Sequence, residues 1–473
     1  MRNETVAADG HQLTNEDMRL HPRPRSDDHV LLDFDEGSHE AIVRQRAAVK
    51  IHRLHDSDPL ATRHVDDSGR QYLGLSHADK LGNAAPKDKP LTLTLDPFSR
   101  LNRHLVKVPF IDLRVQYRFL QPEMGPAMER VMERAAFILG EEVRTFEQRF
   151  AEFTGSAHCI NCANGSDALE MALQALGVGP GEEVLVPAHT WLTTATAATR
   201  LGAEPVFVDS HPDLYTLDLA DAARKITPRT KAIVPVHIFG QAAPMDEVLA
   251  LAHAHGLKVV EDCAQATGTT YRGRHVGTWG DIGCFSFYPG KNLGAYGDAG
   301  ALITQDDELA SYLRRLGNHG ALHKYDNDIP GRNSRIDGLQ AAVLNVKLNH
   351  LTTWIEQRRD HAARYHGLLA RLGLTPPAIV PESVHSFHVY AIRAPHRDQV
   401  RVRLTAAGVE TLVHYPKAVP FLGAYAYLKH VPEDFPNAFA HMNQMLSLPL
   451  FPELEIEQHD YVIAQLDQAI RKG

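Results

Sequence analysis

From Val115 onward the apolar and polar positions fall into two repeating patterns. Apolar residues spaced for one helical face run from Val115 to Ala136 and from Glu142 to Phe153, where Gly155 stops the second run. Beyond it, short apolar runs bounded by turn residues read as strands: Ala157 to Ala163, Val184 to Pro187, Pro205 to Asp209, Ala232 to His237, Lys258 to Asp262 and Gly283 to Phe287. Helical stretches fall between most of them, at 166–176, 191–201, 217–225 and 244–255. Strand and helix in turn predict an α/β fold in three layers, a mostly parallel sheet covered on both faces. Ligands of such sheets sit at the carboxyl ends of the strands. Ile336 to Leu372 then reads as one long helical run with room for a break. It leads into a smaller α+β region: strand-rich from Leu374 to Arg393, helical from Gln399 to Ala407, a strand from Glu410 to Tyr415 and a last helix from Ile456 to Ile470. The expected division is therefore an extension over 1–105, a large α/β domain over 106–345 and a small domain over 346–473.

Residues 1–105 follow neither pattern. Histidines recur at 11, 21, 29, 39, 52, 55, 64 and 77, acids and bases alternate, and apolar periodicity is poor. Such a segment buries too little apolar surface to offset its ordering entropy, which predicts partial disorder. Two pieces have the pattern to fold: a helix from Ser38 to Leu54, and Ala61 to Leu75, which carries an Asp66-Asp67-Ser68-Gly69 turn. The histidines lack the tight spacing and cysteine company of a metal site, and no metal is expected.

Composition narrows the partners. A chain of 473 residues with net charge −9 has length for a large core and no basic excess to suit nucleic acid or an anionic membrane surface. No apolar run is long enough to span a bilayer and Met1 to Thr5 opens no signal core, so a cytoplasmic protein is expected. Four cysteines, at 159, 162, 263 and 284, suit a reducing compartment. Cys159 and Cys162 form a CxxC with no second pair nearby, and read as small residues beside a buried strand.

Candidate chemistry gathers around Lys291. It follows a short aromatic strand and precedes glycines at 294, 297 and 300, which allow tight turns. A lysine confined in a pocket beside a cationic cofactor is partly neutral near pH 7 and can condense with a carbonyl as a Schiff base. Without such a pocket it is a surface lysine in a glycine-rich loop. Asp262 ends a strand, where a carboxylate would keep a pyridine nitrogen protonated and the ring an electron sink; its alternative is an ordinary capping acid. After the first strand, Asn164-Gly165-Ser166 opens a helix, which makes either a plain N-cap or a site for a phosphate dianion.

The runs EDCAQA (261–266), FSFYPGKNLGAYGDAGAL (285–302) and GRNSRIDGLQAAVL (331–344) resemble the sugar aminotransferases of the DegT/StrS family, pyridoxal phosphate (PLP) enzymes of fold type I. The resemblance spans roughly residues 107–470, with its motifs in order. It implies that Lys291 carries PLP, that Asp262 faces the ring nitrogen and Gln265 the ring hydroxyl, and that Gly165, Ser166 and Ser286 hold the phosphate. It also implies that Trp191 stacks on the ring, although a tryptophan is commonly core packing. Asn333, from the family's G-x-N-x-R, would reach across a homodimer to the partner subunit's cofactor phosphate. His237 matches the pattern too, and either lines the site or sits satisfied in the core. His414 and Tyr415 resemble a segment that closes the substrate pocket, but the family continues with a second proline and a histidine where this chain has Lys417 to Phe421.

The activity implied is a two-stage amino transfer, from an amino acid such as glutamate to the cofactor and from there to a nucleotide-linked keto-deoxysugar. The amino sugar formed would serve polysaccharide or secondary-metabolite synthesis. The run through Val346-Lys347-Leu348 looks more like members that aminate C3 than C4. Two rivals stand beside it: a dehydratase using pyridoxamine phosphate, in which a histidine replaces the lysine, and a non-catalytic binding or regulatory protein that keeps the fold.

Overall fold

The computed structural model describes residues 61–65, 71–75 and 106–471. The predicted helix at Ser38 to Leu54, the turn at Asp66 to Gly69 and the disorder expected over much of 1–105 lie outside the described residues. The chain divides into two units, Met1–Thr94 and Leu95–Gly473. In the first, β1 (Ala61–Val65) pairs antiparallel with β2 (Gln71–Leu75), Ala61 opposite Leu75. The second unit holds the candidate site.

Its opening helices are α1 (Leu113–Glu133) and α2 (Glu141–Thr154). Asp112 caps α1 by accepting the N–H groups of Arg114 and Val115, and Gly155 ends α2 at φ 70°, a left-handed turn that favours glycine. The chain then alternates through β3 (His158–Cys162), α3 (Gly165–Ala175), β4 (Glu183–Pro187), α4 (Thr193–Arg200), β5 (Glu204–Val208), α5 (Leu219–Lys225), β6 (Thr230–Ile233), α6 (Met245–His255) and β7 (Lys258–Asp262). Two short strands, β8 (Thr270–Tyr271) and β9 (Arg274–His275), precede β10 (Ile282–Ser286), β11 (Gly300–Thr304) and α7 (Asp307–Gly317).

Seven of these strands form one sheet in the order β3-β11-β10-β7-β6-β4-β5. Only β11 runs antiparallel to its neighbours, β3 and β10. One face is covered by α2, α6 and α8 (Gly338–Leu348), around Phe146, Phe150, Met245 and Leu344. The other is covered by α3, α4 and α7, around Leu169, Ala198 and Leu313. The mostly parallel three-layer sheet is as the alternating pattern predicts.

The long helical run breaks between α8 and α9 (Leu351–Arg371). Beyond it lie β12 (Ser383–Val384), β13 (Tyr390–Arg393), α10 (Arg397–Ala406), α11 (Pro436–Gln444), β14 (Met445–Leu448) and α12 (Ile456–Arg471). Tyr365, Tyr390, Leu404 and Leu466 centre a separate apolar cluster there, which Val108 joins from the start of the unit. Two expectations fail in this region. The strand predicted at Glu410 to Tyr415 is a single bridge, Leu412 to Ser447, and Leu374 to Arg393 is mostly irregular, since Pro376, Pro377 and Pro381 have no N–H to give a ladder. Strand β6 also stops at Ile233 rather than His237; Pro235 interrupts the donors, although its carbonyl still accepts Asp262 N–H at 2.9 Å. Among the described residues no helix is long and apolar enough to cross a membrane.

Candidate active site

The carboxyl ends of β4, β7 and β10 converge on one place. Asp262, the last residue of β7, is 5% exposed and its carboxylate is held on both oxygens: Thr194 Oγ1 donates to Oδ2 at 2.8 Å and Ala264 N–H to Oδ1 at 3.1 Å. Burial raises its pKa, against those bonds and the Lys291 charge. Lys291 lies in the turn after β10, where its N–H donates to Tyr288 O at 2.8 Å. Burial lowers its pKa to about 8, opposed by the Asp262 charge. A half-buried lysine and a buried carboxylate that feel each other's charge are therefore what the structure makes of two motifs distant in sequence.

The start of α3 supplies the second part. Asn164 Oδ1 caps the helix through Asp167 N–H at 2.8 Å, while the N–H groups of Gly165 and Ser166 have no partner among the described residues. Gly165 is pressed against β10: a Cβ there would meet Ser286 Cβ at 2.7 Å. Two free N–H groups at a helix start, beside the Ser286 hydroxyl, make a cradle for an anion.

Gln265 is fixed at both ends. Its Oε1 accepts Phe239 N–H at 2.6 Å and its Nε2 donates to the Tyr415 hydroxyl at 2.7 Å. Trp191 is 58% exposed, so it is not core packing, and its ring lies 5.6 Å from that of Tyr415. His414 bonds Ser447 Oγ through Nδ1 at 2.8 Å, and burial, then the Lys291 charge, lowers its pKa to about 4. The departure at Lys417 to Phe421 anchors this segment: Ala418 and Val419 are buried in the second core face, and Val419 N–H donates to Ala188 O at 2.8 Å.

His237 takes the core position of its two alternatives. It is fully buried, with Nε2 on Glu261 Oε2 at 2.9 Å and Nδ1 accepting Ala243 N–H at 3.0 Å, so no ring nitrogen is left for a substrate. Glu261 also accepts N–H groups from Gly277, Trp279 and Gly280. The buried trio His237, Glu261 and Cys263 has its ligand atoms within 4.8 Å, but these bonds occupy the first two, and burial pushes the Cys263 thiol well up. Asn333 is exposed on its loop; its neighbour Arg332 is bonded to Glu170 of α3.

Three side chains escaped the sequence reading. Thr194, His189 and His388 act here only through contacts that folding creates: Thr194 holds Asp262, His189 Nε2 accepts Tyr415 N–H at 3.1 Å, and burial and then the Lys291 charge push His388 well below its usual pKa. Thr194 is the second residue of α4, the helix after β4, and that placement is the available signal.

A lysine against a strand-end carboxylate, with an anion cradle and an aromatic at the mouth, defines a PLP-dependent aminotransferase of the parallel-sheet class, and the donor set fits that cofactor. The chain belongs to the DegT/DnrJ/EryC1/StrS aminotransferase family, which it matches over residues 120–467. It is 44% identical to the dTDP-3-amino-3,4,6-trideoxy-alpha-D-glucose transaminase of Streptomyces venezuelae over 74% of this chain and 93% of that protein. It is 45% identical to a pleiotropic regulatory protein of Geobacillus stearothermophilus over 77% of this chain and 99% of the other. Among solved structures, that of S. venezuelae DesV in complex with a ketimine intermediate superposes with a TM-score of 0.75 at 43% identity, covering 76% of this chain and 98% of that one.

Proposed function

We propose that this enzyme transfers an amino group from an amino acid, glutamate by expectation, to a nucleotide-linked keto-deoxysugar, and that it acts at C3. The observation that carries the chemistry is the pairing of the half-buried Lys291 with the buried Asp262. The substrate class rests on the sugar-nucleotide transaminase it resembles, whose name specifies a 3-amino sugar.

When bound, PLP supplies an electron sink that stabilises negative charge at the donor's α-carbon. Lys291 holds the cofactor and, once displaced, is a neutral amine poised to carry the proton off the α-carbon. Asp262, kept in place by Thr194 and Ala264, holds the proton on the ring nitrogen. Gly165, Ser166 and Ser286 bind the phosphate. Gln265 would hold the ring through its hydroxyl, Trp191 would pack against it, and His414 and Tyr415 would meet the substrate. Retention of Lys291 argues against the dehydratase. Retention of the whole set argues against a purely regulatory role, despite the similarity to a protein named for regulation.

We further propose a homodimer with shared sites. Tyr117, Phe119, Tyr288 and Leu322 are exposed apolar residues, and together with the exposed Asn333 they suit cover by a second copy. We treat 106–345 as the cofactor-binding domain and 346–473 as the smaller one, supported by the separate C-terminal apolar cluster. The four unpaired buried cysteines support a reducing, cytosolic setting.

The test is a panel of nucleotide-linked 3-keto and 4-keto sugars with glutamate as donor. A product that gains an amine on C3, located by NMR, is expected. No amination of any member would refute the assignment.

A further inference from the structure

The hydrogen inventory around Tyr415 leaves one hydrogen unspent. Phe239 donates its N–H to one polar atom of the Gln265 amide at 2.6 Å, and a backbone N–H can only donate, so that atom is the carbonyl oxygen. The other is then the NH2 group, which donates to the Tyr415 hydroxyl at 2.7 Å. Tyr415 Oη is the acceptor in that bond, and its own hydrogen must point elsewhere. Among the described residues the hydroxyl has no second partner. Burial, then the Asp262 charge, raises the phenol's pKa, so the hydrogen stays on through neutral pH.

The residue is also held firmly. His189, which takes the Tyr415 N–H, is fully buried, and burial lowers its pKa to about 3. Its neutral ring accepts at Nε2 and so carries its hydrogen on Nδ1. Trp191 leans on the Tyr415 ring at an interplanar angle of 43°.

We propose that Tyr415 is the hydrogen-bond donor of this site, with its hydroxyl aimed by Gln265 at an oxygen acceptor of the bound ligand: the cofactor's ring oxygen or the carbonyl oxygen of the keto sugar. The inference rests on the function proposed above and assigns a role within it. Tyr415 is thus a catalytic residue; His189 is a positioning residue acting through it, and Gln265 aims it with one amide N–H while the other is left for the cofactor ring hydroxyl.

Two variants test it on the full chain. Tyr415→Phe removes the hydrogen and keeps the ring. Gln265→Glu keeps an oxygen for Phe239 N–H but turns the second atom into an acceptor, which captures the Tyr415 hydrogen without touching Tyr415. Borohydride trapping of PLP on Lys291, in the parent and both variants, checks the underlying function and folding separately. If the acceptor is the ring oxygen, the pH titration of cofactor absorbance moves up by about one to two units in both variants, the size of one bond to a charged group. If it is the sugar carbonyl, the Tyr415→Phe titration holds while its single-turnover rates with the keto sugar fall about tenfold to a hundredfold and those with glutamate hold. Either result supports the assignment. A Tyr415→Phe protein with an unmoved titration and both rates within about twofold of the parent would overturn it. So would a Gln265→Glu protein indistinguishable from the parent.

Discussion

At the scale of residues, the proposed chemistry depends on a lysine that gives up its proton near neutrality. With its pKa at about 8, Lys291 is mostly protonated at pH 6 and mostly neutral at pH 9, and only the neutral amine attacks an aldehyde. The rate of PLP uptake by the cofactor-free protein should therefore climb about tenfold per pH unit below 8 and level off above it. Stopped-flow absorbance between pH 6 and 10 reads this directly; a rate still climbing tenfold per unit at pH 10 would place the amine in open water. Asp262→Asn keeps the shape and loses the charge that holds the ring proton, so kcat should fall by about a hundredfold or more while PLP still attaches; unchanged turnover would remove Asp262 from the chemistry. Lys291 and Asp262 were legible in the sequence because each sits inside a local motif. The Gln265–Tyr415 bond joins residues 150 positions apart, and no spacing rule anticipates it. His237 matched the pattern just as well, yet its burial beside Glu261 made it a core group, which only its neighbours could decide.

At the scale of elements, α3, β10 and β11 meet with no room to spare. A Cβ on Gly165 would meet Ser286 Cβ at 2.7 Å, and one on Gly300 would meet the Asn164 carbonyl carbon at 2.5 Å. The helix start proposed to cradle phosphate is thus wedged onto the strand that precedes Lys291. Gly165→Ala should cost about 1–3 kcal/mol of stability through overpacking and weaken PLP binding, seen as a lower Tm and a raised Kd; an alanine protein with parental Tm and Kd would show that the packing has slack. The parallel strands and their helices were readable because each is a short apolar run followed by a helical period. Strand β11 and helix α7 were not assigned from the sequence, although Asp306 is a capping residue that bonds Glu308 and Leu309 N–H. A five-residue apolar run such as 300–304 carries no mark of its direction, and this one enters the sheet antiparallel between β3 and β10. The segment from Glu410 to Tyr415 has a strand's composition but follows the site's contour, tied to Ser447 at Leu412.

At the scale of the whole molecule, the claim is that one chain is not a complete site. Asn333 is exposed in the single chain, and in the proposed homodimer its task is at a neighbour's phosphate cradle. Chains carrying Lys291→Ala and chains carrying Asn333→Ala should each be impaired alone, and verified heterodimers of the two should regain activity through the site that keeps both residues; heterodimers with none would mean that each chain works by itself. The order of motifs along the sequence displayed the fold and the cofactor. The shared site was implied only by resemblance, because nothing in one chain's periodicity reports on a neighbour.

The most direct measurement is chemical. The protein is loaded with PLP, reduced with borohydride, digested and mapped by mass spectrometry. A reduced pyridoxyl group on the peptide carrying Lys291, absent after prior incubation with excess glutamate, is the predicted result. A label on another lysine, or an unlabelled Lys291 in a protein that still aminates a keto sugar, would contradict the account.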